Sequence, residues 1–138
     1  MEKLMTFRAR DAVLGALVAS LLGAATPGLA DEPPGRAMFM ANCSACHRAD
    51  GKGVPHAFPA LAGDPFVVGP KADPITRILN GRGGMPSFKA DLSDDQIATI
   101  LTYVRSAWGN KAAPVSVADV GAIRKGGAPA QARGLQAH

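Results

Sequence analysis

The chain has 138 residues, a formal net charge of +4 and 47% hydrophobic side chains, which bounds it at one domain with little room for a second core. No run of Lys and Arg with interleaved aromatics occurs, so nucleic-acid binding has no support. The mild positive charge says little else by itself.

The N-terminus reads as a targeting segment. Lys3, Arg8 and Arg10 form a positive region, residues 12–25 are a 14-residue apolar stretch, and Gly28-Leu29-Ala30 ends in small residues at cleavage spacing. This predicts a signal peptide over residues 1–30, removed after Ala30, and hence a periplasmic protein. An uncleaved anchor is the alternative, but 14 apolar residues fall well short of the roughly 20 needed to cross a bilayer. No stable membrane insertion is expected once the leader is gone. The remaining chain carries 12 Lys and Arg against 9 Asp and Glu, with one Trp, one Tyr and four Phe. Few large aromatics for a core, together with many Gly and Pro, suggest loops wrapped around something apolar that the sequence does not encode.

From Pro34 to about His47, apolar groups recur at helical spacing behind Pro34 and Gly35, which predicts a first helix that ends at Cys43-Ser44-Ala45-Cys46-His47. Residues 48–72 are rich in Gly and Pro and show no sustained period. They read as a long ordered loop, because Phe58, Leu61, Phe66, Val67 and Val68 would otherwise be exposed. Asp73-Pro74 reads as an N-cap followed by proline, with Ile75, Ile78 and Leu79 on one face of a short second helix that Gly81 stops.

A glycine loop, Arg82-Gly83-Gly84-Met85-Pro86-Ser87-Phe88, comes next. Ser93-Asp94-Asp95-Gln96 is a capping box, and Ile97, Ile100, Leu101 and Val104 line one face of a third helix that runs towards Gly109. Ser116 to Lys125 predicts one further short helix with Ser116 and Asp119 as a weaker capping box. Residues 126–138 are expected to be disordered.

Three chemistries suit two thiols and an imidazole in five residues. A dithiol redox site needs a strand-to-helix turn inside a βαβ unit, and the chain offers no such strands. Structural zinc needs four ligands, but His56 and His138 lie 9 and 91 residues after His47 and make no second pair. Covalent haem is the third. One helical turn carries Cys43 and Cys46 to the two vinyl groups on one haem edge, and the adjacent His47 is held beneath the iron as an axial ligand. Export to an oxidising compartment and the missing zinc ligands favour this reading. A buried haem c would also supply the apolar surface that the core lacks.

The opposite side of the iron points to Met85. Of the five methionines, Met1 and Met5 leave with the leader, while Met38 and Met40 sit on the helix that runs into Cys43. Gly83 and Gly84 let backbone approach a flat cofactor, and Pro86 biases Met85 towards an extended conformation. His56 is a poorer candidate, since a loop of that length could hardly round the ring edge.

The sequence Cys43–His47 behind Gly35 and Phe39, followed by Phe58-Pro59-Ala60-Leu61-Ala62-Gly63, Gly81 to Phe88 and Leu92 to Asn110, resembles the class I cytochromes c over about residues 34–110. The resemblance is greatest to small bacterial cytochromes and to cytochrome c modules of exported dehydrogenases and terminal oxidases. It implies an all-α fold of three main helices with long loops around one covalent haem, occupying residues 31–112, with residues 113–138 as a C-terminal extension.

It also implies that the first and last helices cross where Gly35 and Phe39 meet Ile100 and Tyr103, and that the Pro59 carbonyl accepts a hydrogen bond from the His47 ring. The function implied is electron transfer rather than catalysis, between redox protein partners such as a dehydrogenase donor and an oxidase or cytochrome acceptor. A haem enzyme or gas-binding sensor with an open distal site is the alternative. Lys71, Arg77, Arg82 and Lys89 are candidates for a basic ring that would steer an acidic partner.

Overall fold

The chain between Pro33 and Arg48 departs from a continuous helix at one residue. In the computed structural model, which describes residues 32–127, helix α1 spans Pro34–Asn42 and helix α2 spans Ser44–His47. Cys43 stands between them at φ −124°, outside helical geometry. The sequence had suggested one helix through to His47. The break has a local cause in side-chain competition: Asn42 Nδ2 donates to the Met38 carbonyl at 2.9 Å and the Ser44 hydroxyl to the Met40 carbonyl at 2.7 Å. Short polar side chains that bond the carbonyl four residues back weaken and bend helices.

The loop after His47 contains one turn of helix that periodicity did not reveal, α3 over Pro65–Val68. Asp64 caps it, accepting from the Phe66 N–H at 2.9 Å, and Pro65 occupies its first position. The next helix, α4, spans Ala72–Asn80. It starts earlier than the expected Asp73 cap: Lys71 takes the cap position and Asp73 falls in the first turn. Pro74 is tolerated inside that turn because the first four N–H groups of a helix have no partner within it. Gly81 ends α4 at φ +67°, a left-handed conformation that favours glycine.

Helix α5 spans Asp94–Val104 behind the complete Ser93/Gln96 capping box. It ends five residues short of Gly109, because the chain turns off through Trp108 at φ +53° and Gly109 at φ +88°. Helix α6 spans Val117–Arg124, with both bonds of the Ser116/Asp119 box in place. Among the described residues no β-strand forms, only the isolated bridges Val54–Phe58 and Arg82–Met85. The leader predicted over residues 1–30 and most of the predicted disordered tail lie outside the described residues.

α1 crosses α5 at Gly35, where a Cβ would overlap the Thr99 carbonyl oxygen and Tyr103 Cβ. Phe39, fully buried, meets the Tyr103 ring at 5.8 Å and the Trp108 ring edge-on at 5.1 Å between centroids. Ile75, Ile78 and Leu79 of α4 and Ile97, Ile100, Leu101 and Val104 of α5 complete the core, joined by Val115 and Val120 from the C-terminal segment. Each large apolar side chain removed from water here contributes about 1.5–3 kcal/mol.

Candidate functional site

A cavity of about 440 Å³ opens between the loops and the inner faces of α4 and α5. Cys43, Cys46, His47, Pro59 and Met85 all line it. The structure therefore brings together Cys43, Cys46, His47 and Met85, which the sequence had suggested on chemical grounds, and Pro59, which the resemblance implies. His56 does not take part; it is exposed at φ +63° and lines a separate surface hollow.

The imidazole end is built from backbone bonds. The His47 carbonyl accepts from the Gly53 N–H at 3.0 Å, and the Gly51 carbonyl accepts from the N–H groups of Leu61 and Ala62 at 2.7 and 3.0 Å. These bonds fold residues 51–62 back over α2. Gly53, at φ +63°, is required where the two arms meet, since a Cβ there would overlap the Phe58 and Pro59 carbonyls. The His47 Nδ1–H then donates to the Pro59 carbonyl at 3.0 Å. A carbonyl can only accept, so this contact puts the proton on Nδ1 and leaves the Nε2 lone pair free for a metal.

The two thiols are unpaired as a disulfide. Burial, with a contribution from the neighbouring Cys46, pushes the Cys43 thiol up to about 11.

The Met85 end is equally constrained. Arg82 and Met85 exchange both backbone hydrogen bonds at 3.0 Å, closing a two-residue turn with Gly83 at φ +57°. Glycine at the first central position suits that turn geometry. A Cβ on Gly81 would stand 2.5 Å from the Met85 carbonyl oxygen, so only glycine lets the loop lie against the end of α4. Two carbonyls that α4 leaves open at its C-terminus are then satisfied by the loop: Ile78 accepts from the Phe88 N–H at 2.9 Å, and Leu79 from the Ser87 hydroxyl.

Between these ends the walls are largely apolar, with Leu61, Val67, Ile78, Phe88, Ile100 and Leu101 among them. Such a lining suits a flat hydrophobic cofactor. Among the described residues no cluster of three or more His, Cys, Asp or Glu could hold a metal ion by itself, and no βαβ unit surrounds the two thiols. The donor set of two thiols, an imidazole and a thioether on an apolar cavity therefore fits an iron porphyrin.

Four structural residues escaped the sequence pattern. Arg105, 3% exposed, donates through Nε to the Ala113 carbonyl and through Nη1 to the carbonyls of Val67 and Gly69. Burial lowers its guanidinium below the usual value. Asn110 Nδ2 donates to the carbonyls of Leu61 and Val104 at 3.1 and 2.8 Å, while its Oδ1 accepts from the Gly63 N–H at 2.8 Å. The Trp108 ring covers Gly51, and its Nε1–H donates to the Ala49 carbonyl at 3.1 Å. Arg124 ties α6 to Asp94, in the first turn of α5, at 2.6 Å. A lone Arg or Asn without a repeating pattern carries no signal of its partners.

The basic ring is smaller than expected. Lys71 is withdrawn into a buried ion pair with Asp119 at 3.2 Å, which removes its charge from the surface. Arg77 stacks over the Phe66 ring at 5.1 Å and lines the cavity with Arg82. Lys89 remains exposed.

A cytochrome c family profile, described as cytochrome C oxidase, cbb3-type, subunit III, matches residues 30–104, more than half of the chain. The chain belongs to this cytochrome c family. The cytochrome is 36% identical over 114 residues to the cytochrome c subunit of a quinone alcohol dehydrogenase from Gluconacetobacter polyoxogenes, a match covering 73% of this chain and 24% of that one. It thus spans about a quarter of the dehydrogenase subunits it matches. It is also 38% identical over 78 residues to cytochrome c6 of Leptolyngbya boryana, covering 54% of this chain and 91% of that one. The solved cytochrome c6 of the diatom Phaeodactylum tricornutum aligns at 32% identity and a TM-score of 0.45, over 54% of this chain and 90% of that one.

Covalently bound haem c with its iron is the cofactor of this cytochrome, and its fold is the all-α fold of class I cytochromes c.

Proposed function

We propose that this cytochrome is an exported one-electron carrier in which Cys43 and Cys46 hold the haem covalently and His47 and Met85 are the axial ligands. The single observation that carries the reading is that one apolar cavity is lined by both thiols, His47 and Met85, with each end held by backbone hydrogen bonds. The haem supplies iron that cycles between ferric and ferrous states.

The chain's own residues do the rest. Pro59 holds the Nδ1 proton of His47 and so keeps the imidazole in one tautomer and orientation, a contact that also tunes a ligand's basicity. The pinned loop offers the Met85 thioether, a soft donor that favours the reduced metal. The apolar walls limit water around the site and hence the reorganisation that accompanies each electron transfer.

Similarity to cytochrome c subunits of alcohol, gluconate and fructose dehydrogenases supports a place between an exported dehydrogenase and the respiratory chain. Residues 1–30 would direct the protein to the periplasm, and among the described residues no helix is long and apolar enough to cross a membrane. Arg77, Arg82 and Lys89 would favour an acidic partner, with an on-rate that falls as salt rises.

The test is an optical spectrum of the purified protein, ferric and dithionite-reduced, with and without CO. A weak far-red ferric band that vanishes on reduction, with no prompt response to CO on mixing, is the expected result. A high-spin spectrum that shifts with CO would mean an open iron and a haem enzyme or gas sensor instead.

A further inference from the structure

Helix α6 begins after residue 104, where the family match ends. Its last residue, Arg124, makes three contacts at once: Nε to Asp94 Oδ1 at 2.6 Å, Nη2 to the Leu92 carbonyl at 2.8 Å, and Nη1 to the Lys89 carbonyl. A planar guanidinium with donors in a fixed fork can serve three such acceptors together, and an ammonium cannot reproduce the arrangement. Gly121, one turn earlier, leaves room for it, since a Cβ there would press on Asp94 Oδ2 at 3.0 Å.

The turn that Arg124 grips is the continuation of the Met85 loop. Within it the Phe88 carbonyl accepts from the N–H groups of Asp91 and Leu92 at 3.2 and 3.0 Å, and the Phe88 ring lines the cavity with Met85. On its other flank the same segment hangs from the last carbonyls of α4 through Ser87 and Phe88. The chain that carries Met85 is therefore held on two sides, by α4 directly and by α6 through Arg124. The Lys71–Asp119 pair, which also ties α6, lies at the opposite end of α4 from that loop.

We infer that Arg124 is a positioning residue for Met85: by clamping residues 89–92 it keeps the Met85 loop closed and limits how often the thioether leaves the iron. This rests on the His47/Met85 ligation proposed above.

The experiment compares the full-length haem-loaded protein with Arg124→Gln, Arg124→Lys and Asp119→Asn. Thermal melts, the far-red ferric band and the rate of CO uptake by the reduced protein are recorded for each. The expected result is CO uptake faster by roughly tenfold or more in Arg124→Gln, as for loss of a multiply bonded clamp on a locally opening segment. The ferric band should weaken, and Arg124→Lys should recover only part of the difference. Asp119→Asn should melt at lower temperature yet keep the wild-type band and CO rate. Equal CO rates in wild type and Arg124→Gln, with the band intact in both, would overturn the inference while leaving the ligation standing. An equal rise in Asp119→Asn would overturn it too, by reducing the effect to general destabilisation. A wild-type protein without the far-red band would remove the ligation and the inference together.

Discussion

At the scale of single residues, Met85 and Asp119 make opposite uses of burial. Met85 is half-buried against the cavity and held by its own backbone, so its side chain can be removed with little change to the loop. Met85→Ala should keep its haem, because the attachment is through Cys43 and Cys46, and should give at once on mixing a CO difference spectrum that wild type develops only slowly. Asp119 is fully buried. Burial by itself would raise its carboxyl, but the N–H and hydroxyl of Ser116 and the Lys71 ammonium outweigh it and hold the group below the usual carboxylate range. A carboxyl depressed in the folded state contributes stability that is present above its unfolded value of about 3.9 and is lost as pH falls through the folded value. Urea midpoints should therefore drop below about pH 4 in wild type. Asp119→Asn should show less of that acid loss and, with the Lys71 charge left buried without its counter-charge, be destabilised by about 3–5 kcal/mol at pH 7.

Between elements, the α1–α5 crossing and the α4–loop junction both depend on backbone approaching backbone. Gly35 is legible in the sequence as a small residue one helical turn before Phe39, but only the partners, Thr99 and Tyr103, show why it cannot grow. Gly35→Val should cost about 1–3 kcal/mol or more, as overpacking forces the helices apart, and a chemical denaturation curve with unchanged slope would measure it. Capping signals were reliable where they were local: Ser93 with Gln96 and Ser116 with Asp119 formed as the spacing suggests. Asp73 did not cap α4, because the Pro70 carbonyl accepts from its N–H at 3.2 Å and starts the turn earlier. The missed break at Cys43 has the same character, since helical periodicity is indifferent to a hydroxyl two positions from Asn42 that takes a helix carbonyl for itself.

For the whole molecule the cavity governs stability. The cavity of about 440 Å³ is bordered by Phe39, Val67, Ile78, Ile100 and Leu101 of the core, and a haem seated against them removes their apolar surface from water at about 25 cal/mol per Å². The haem is therefore part of the core. A Cys43→Ser/Cys46→Ser variant isolated without haem should lose the cooperative thermal transition and the near-ultraviolet signal of Trp108, while a haem-loaded preparation keeps both. The C-terminal segment shares in the same core: Val115 and Val120 are buried with α4 and α5, and Thr102 and Val115 are tied by hydrogen bonds of 3.1 and 3.2 Å.

The sequence by itself determined the cofactor chemistry and the existence of α1, α4, α5 and α6. Thiols one helical turn apart followed by an imidazole, one eligible thioether behind two glycines, and amphipathic stretches with Ser caps are local patterns, and local patterns survive in one dimension. Only the tertiary structure decided which groups meet across long separations: Arg105 with Val67 and Gly69, Asn110 with Leu61 and Gly63, Lys71 with Asp119, and Arg124 with Lys89 and Leu92. The physical reason is that a polar side chain buried in a fold takes whatever carbonyl or carboxylate the packing leaves open. That choice is made by the path of the whole chain, and it leaves no period, spacing or composition to be read.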